Sequence, residues 1–250
     1  MFLRDIKDRY DADDFVPVTI ERVTHIQSNK KTNKFIIYVN NTDAFGLLSE
    51  NYSYISSKAL ANKLSKEGYL VKHFMYTKGY MLVTLYNPEW PVLDMNDEER
   101  ELLHYLTNND NVKKLTDPKS TYRTALYFLN NYSGESRLRI GFSLLIAESI
   151  SLPLNKLQQS YIHMGNLIED IKAIKQPDSM LQQLKQQSGY DLLTYLKHII
   201  LNKSDIETIT GVFEELGIQD PNALQVLTTI AILFPNKIYN IAKNNIDLIY

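Results

Sequence analysis

Asn87-Pro88-Glu89-Trp90-Pro91 constrains the fold more than any other stretch of the sequence. Proline has a fixed φ and no backbone N–H, so a closely spaced pair stops both helix and strand. The chain must break there, and the patterns on the two sides differ. The expected organisation is a small α/β domain over residues 1–90 followed by an all-helical domain over residues 91–250.

Before the break, Phe2, Ile6 and Tyr10 recur at helical spacing and predict a short helix, and the acidic stretch Asp11 to Asp14 reads as a solvated break. Val16, Val18 and Ile20 then alternate with Pro17, Thr19 and Glu21, which predicts a strand within Phe15 to Ile26, with Pro17 at its start or on an edge. Gln27 to Asn33 has turn chemistry, and Lys34 to Val39 reads as a second strand. Ser56 to Glu67 suits a helix with Leu60 and Leu64 on one face, closed by Gly68. Tyr69 to Tyr76 and Tyr80 to Tyr86 read as strands joined by a short Thr77-Lys78-Gly79 loop. The order is β-β-α-β-β, an antiparallel sheet covered by one helix.

After Asp94 everything reads as helix. Glu98 to Thr107 comes first, and Thr116-Asp117-Pro118 caps the next. Ser136 to Ile150 follows, then helices opening near Pro153 and Pro177, and Tyr190 to Leu201. Ser204 to Glu207 has the form of a capping box, while Asp220-Pro221 and Pro235 open the last two helices. Ile140 to Ile146 and Ala223 to Phe234 are apolar almost all round, as expected of helices inside a bundle. The fold class is therefore read as α+β, a small N-terminal antiparallel sheet domain followed by an all-α bundle.

Composition narrows the chemistry. The 250 residues contain no cysteine, which excludes a disulfide scaffold, a thiol nucleophile and thiolate metal sites. No run is long and apolar enough for a transmembrane helix, and the first residues lack the core of a signal peptide. No membrane partner is expected, and the expected location is the cytoplasm. Lysine exceeds arginine, with Asn, Ile and Tyr frequent, the bias of AT-rich genomes that include many bacteriophages and other viruses. That points to a host cytoplasm or a virion as the setting, and to no mechanism.

Local signatures of catalysis are missing. Glu101 and His104 have the spacing of a di-iron helix, but no second Glu-x-x-His accompanies them, so a solvated face is expected. His163 stands two helical turns from Glu169 and Asp170, roughly 10 Å along an axis, too far to share one ion. Neither a nucleophile elbow nor a phosphate-cradling glycine loop occurs. No catalytic residue, metal site or cofactor is assigned.

Charge is the more informative pattern. Between Arg22 and Asn87, nine basic residues face only Asp43, Glu50 and Glu67. Lys30, Lys31 and Lys34 lie on a hairpin with a long basic tip, and Lys72, His73, Tyr76, Lys78 and Tyr80 interleave cations with aromatics on a second hairpin, a surface suited to single-stranded nucleic acid. The same residues also suit a basic sheet face whose tyrosines pack under the helix. Ser204 to Phe234 has helix-turn-helix spacing, but its second helix carries no Lys or Arg and reads as core. A near-neutral protein with separate acidic and basic stretches fits docking to other proteins. The leading expectation is thus a non-catalytic accessory or assembly protein that acts on other proteins or within an oligomeric assembly. The alternatives are a nucleic-acid-binding factor using the N-terminal domain, and an enzyme whose site is assembled from distant residues.

Overall fold

The structure is a computed structural model that describes residues 2–25, 28–40, 43–52, 54–77, 79–108, 120–132, 138–156, 179–244, 246 and 248. Ten strands form two antiparallel sheets, accompanied by seven α-helices among the described residues. The chain divides into two compact units. One contains the described residues of Met1–Pro88 and Tyr127–Ile140; the other contains those of Glu89–Leu126, Gly141–Leu157 and Gln176–Tyr250.

In the first unit, β1 (Arg9–Ala12), β2 (Val18–His25), β3 (Lys30–Val39) and β4 (Asp43–Ser49) form a four-stranded meander. Strand β3 shows why it folds this way: Phe35, Ile37 and Val39 are buried, while Ile36 and Tyr38 between them are half-buried. Val18 pairs with Val39 and Ile20 with Ile37, so one face of the meander forms a continuous apolar layer. Asn40, left-handed at φ 53°, helps turn the chain from β3 toward β4.

Helix α1 (Ser57–Ser65) begins where Ala59 N donates to Ser56 Oγ at 3.0 Å, and it buries Leu60, Ala61 and Leu64. Its C-terminal turn gives way to Gly68 at φ 91°, a backbone conformation that favours glycine. Strands β5 (Leu70–Thr77) and β6 (Tyr80–Tyr86) follow as a hairpin that packs on α1.

Beyond the proline pair come β7 (Val92–Asp94), α2 (Asp97–Asn108), β8 (Thr121–Asn131), β9 (Arg139–Ile146) and β10 (Ile150–Lys156). The second sheet has the order β10-β9-β8-β6-β5, with β7 pairing to β8, and the long strand β8 is divided between the units. The remaining helices are α3 (Met180–Gln186), α4 (Gly189–Lys197), α5 (Lys203–Glu215), α6 (Ala223–Leu233) and α7 (Pro235–Asn244). Every residue of α6 from Ala223 to Ile232 is buried, and α2, α3, α4, α5, α7 and β10 pack around it. In the same core the Tyr122 hydroxyl lies 3.3 Å from Thr228 Oγ1.

The expected fold, a sheet domain followed by an all-helical bundle, is therefore wrong. Among the described residues four strands lie after the break, and β5 and β6 join their sheet rather than pairing with β2 and β3. The stretch expected as a helix from Ser136 to Ile150 contains β9, and Pro153 sits within β10 beside a register slip instead of opening a helix. The cause is burial on both faces: β8 and β9 are almost completely enclosed, so their apolar residues run continuously instead of alternating. The expected N-terminal helix is replaced by a 3-10 turn at Leu3–Asp5 and strand β1, and β4 is an additional strand. Thr116-Asp117-Pro118 and Pro177 lie outside the described residues. Helices α4 to α7 form near the expected positions, but the capping boxes are Asn202 with Asp205 and Asn222 with Gln225, not Ser204 with Glu207.

Candidate functional site

Strand β5 ends the second sheet and, among the described residues, pairs only with β6. Its neighbour β6 is buried from Tyr80 to Leu85, whereas β5 is exposed from Leu70 through Phe74. Three large apolar residues lie in that exposed half: Leu70 at 47%, Val71 at 38% and Phe74 at 47%. An edge strand directs alternate backbone N–H and C=O groups away from its sheet, which makes it a template for another strand. The register with β6 slips between Val71 and His73, so Lys72 is the extra residue of a bulge. From His73 to Thr77 the ladder runs without a slip.

From Phe74 onward β5 is also held by a node that local sequence patterns do not reveal. Asp14, inside the stretch expected as a solvated break, accepts hydrogen bonds from Ser57 N and Lys58 N at the start of α1, both at 3.0 Å. Its carboxylate also accepts from Phe15 N at 2.8 Å, the Tyr54 hydroxyl at 2.8 Å and the Tyr132 hydroxyl at 2.9 Å. A carboxylate at a helix N-terminus satisfies N–H groups that the first turn leaves open and interacts favourably with the helix dipole. Burial first, and then the charge of Asp14, push the Tyr54 and Tyr132 hydroxyls well above the ordinary tyrosine pKa. The Tyr132 ring lies 6.5 Å from that of Tyr76 on β5, and Phe15 stacks on Phe74 at 4.8 Å. Asp14 and Phe15 thus bring the N-terminal segment, α1 and β5 together. No short spacing signals this, because Asp14 and Tyr132 are 118 positions apart.

The residues singled out for nucleic-acid contact divide between two sheets. Lys30, Lys31 and Lys34 lie on β3, and Lys72, His73 and Tyr76 on β5. Lys30 and Lys34 are exposed, while Lys31 forms an ion pair with Asp8. Lys72 and His73 are exposed, although partial desolvation draws the His73 imidazole below its ordinary pKa. Tyr76 is half-buried and Tyr80 buried, so neither ring lies open for base stacking. Lys78 lies outside the described residues. Arg22 is structural: its guanidinium donates to Lys7 O, Thr32 O and Ile6 O and lies 4.5 Å above the Phe35 ring.

The second unit contains an open cleft of about 300 Å³ lined by residues including Lys185, Gln187, Ser188, Tyr190, Asp220 and Asn222. A bridge between Ser188 and Asn222 ties two helix starts together, with Gly189 N donating to Pro221 O at 2.7 Å. Beneath it Glu99, fully buried, accepts from Asn96 N at 2.8 Å and Asn222 Nδ2 at 3.3 Å, and lies 3.7 Å from Lys185 Nζ. These polar contacts hold the second unit's core together. Glu101 and His104 are exposed on α2, where the His104 ring contacts Asn108, and His163, Glu169 and Asp170 lie outside the described residues. Among the described residues no three potential metal ligands gather, and no helix is long and apolar enough to cross a membrane.

Comparison with known proteins adds no relative to this geometry: no family model, no curated protein and no solved structure matches the chain.

Proposed function

We propose that the chain is a non-catalytic accessory or assembly protein that docks another protein along the β5 edge. The observation that carries this reading is the continuous exposure of Leu70 to Phe74 on a terminal strand. Exposed apolar side chains beside unpaired strand backbone favour association, and natural edges are usually covered, charged or broken to prevent it. The nucleic-acid reading draws support from the exposed Lys30, Lys34 and Lys72. It is weakened because Lys31 and Arg22 are engaged within the protein and the Tyr80 ring is buried.

The test is a quantitative recovery of stoichiometric partners with the wild-type chain and with a Leu70→Ser/Val71→Ser variant. Loss of a partner in the variant, with unchanged far-ultraviolet circular dichroism, is the expected result. A partner set that survives both substitutions would remove β5 from the function.

A further inference from the structure

Building on the docking reading, we infer that the occupant of the β5 edge is an extended, acidic–apolar segment of a different protein, added as a strand. Three observations converge. The first is the edge itself, whose outward backbone groups can pair a strand and whose exposed Val71 and Phe74, on one face by their register with Leu85 and Val83, and Leu70, on the other, offer apolar contacts to its side chains. The regular ladder from His73 to Thr77 provides the straight section along which such a strand can pair.

The second is charge. Lys63 lies in the last turn of α1, and Lys66 follows as its C-cap, immediately before β5 begins. Lys72 lies on the strand, and strand β5 contains no acidic residue. Lys63, Lys66 and Lys72 are exposed and form no ion pair among the described residues, and Glu67 is the only acid in that stretch. Carboxylates on an incoming strand would meet the Lys72 ammonium group on β5, in a stretch where lysines outnumber acids.

The third is the bulge at Lys72. A lysine on a bulged edge is a device that opposes pairing with copies of the same strand, because like charges meet and the ladder is interrupted. The same lysine favours an acidic partner, so a single residue both repels self-association and selects the occupant.

The test uses fluorescent peptides on the full chain: acetyl-Thr-Val-Glu-Val-Glu-Val-Thr, its lysine analogue, and a version with the central valine replaced by proline. The acidic peptide should bind at least about 10-fold tighter than the lysine analogue, with a preference that shrinks as salt rises. The proline peptide should lose binding because it cannot complete a ladder. Lys72→Glu, at an exposed bulge that leaves the core intact, should reverse the preference. Equal binding of the acidic and lysine peptides, or of the proline peptide, overturns the inference. So does salt-sensitive binding of a single-stranded oligothymidylate that Lys72→Glu abolishes while the acidic peptide fails to bind. If no peptide binds but Leu70→Ser/Val71→Ser still releases the native partner, the docking reading stands and the acidic strand does not.

Discussion

Asp14→Ala is the most informative single substitution in the first unit. It removes the acceptor for two N–H groups of α1, for Phe15 N and for the Tyr54 and Tyr132 hydroxyls. Losing a side-chain cap costs about 1 kcal/mol. Tyr54 is 4% exposed and Tyr132 1%, so water cannot easily replace the lost carboxylate. Removing the acceptor of a buried hydroxyl costs about 1–3 kcal/mol. Tyr132 keeps Ser57 Oγ at 3.2 Å and loses less. Because Asp14 itself is half-buried, the low end applies, and the sum is about 3 kcal/mol. In urea this corresponds to a midpoint lowered by about 1–2 M. Near-ultraviolet circular dichroism of the tyrosines should report it. Trp90, the only tryptophan and a member of the second unit, gives a separate fluorescence signal. Asp14→Asn keeps the shape but not the charge and should lose about half as much. A loss below about 1 kcal/mol for Asp14→Ala, or an Asp14→Asn variant equal to wild type, would show that the carboxylate does not hold this node.

Three further outcomes follow from the same structure. Burial raises Tyr52 to about 12 and raises Tyr54, Tyr122 and Tyr132 as well, whereas unfolded tyrosines ionise near 10. The stability these groups contribute is therefore complete below about pH 10 and falls above it, by about 1.4 kcal/mol per pH unit per tyrosine, with Tyr52's share exhausted near 12. Urea midpoints that stay constant from about pH 9 to pH 11 would contradict this assignment. Gly189→Ala would place a Cβ 2.5 Å from Pro221 O and should destabilise the second unit by about 2–3 kcal/mol in a Trp90-monitored melt. Gly211→Ala, with nothing within 4 Å in α5, should instead stabilise it by about 0.5–1 kcal/mol.

Where structure was legible from sequence, the signal was local. Ser56 and Gly68 bracket α1, Gly79 at φ 82° closes the β5–β6 hairpin, and the apolar Ala223–Leu233 is indeed a buried helix. The stretch from Ile140 to Ile146 has the same kind of composition and is buried too, but as a central strand. Burial on every side erases the periodicity that would separate the two cases. What remained was its short length and the aromatic and β-branched residues of the adjoining Thr121–Asn131. The candidate site was half legible. Lys72 and His73 stood out by charge, but the exposure of Leu70, Val71 and Phe74 depends on β5 being last in its sheet, a property of topology. Asp14 looked like solvent-facing punctuation because its partners are contributed by chain that folds back from far away.

The return of the chain to the first unit at Tyr127–Ile140 bears on how the protein is made. A ribosome that has released Pro88 has delivered Asp14, α1, β5 and β6, but not Asn130, whose side chain donates to Ile55 O, nor Tyr132, whose N–H donates to Gly79 O. Roughly 45 more residues must be synthesised before those bonds close, several seconds at about 5–20 residues per second. During that interval β6 as well as β5 has an open side, since its other neighbour is β8. The nascent chain is then at its most vulnerable to pairing with the wrong strand, and the lysine in the β5 bulge guards one of its two open sides.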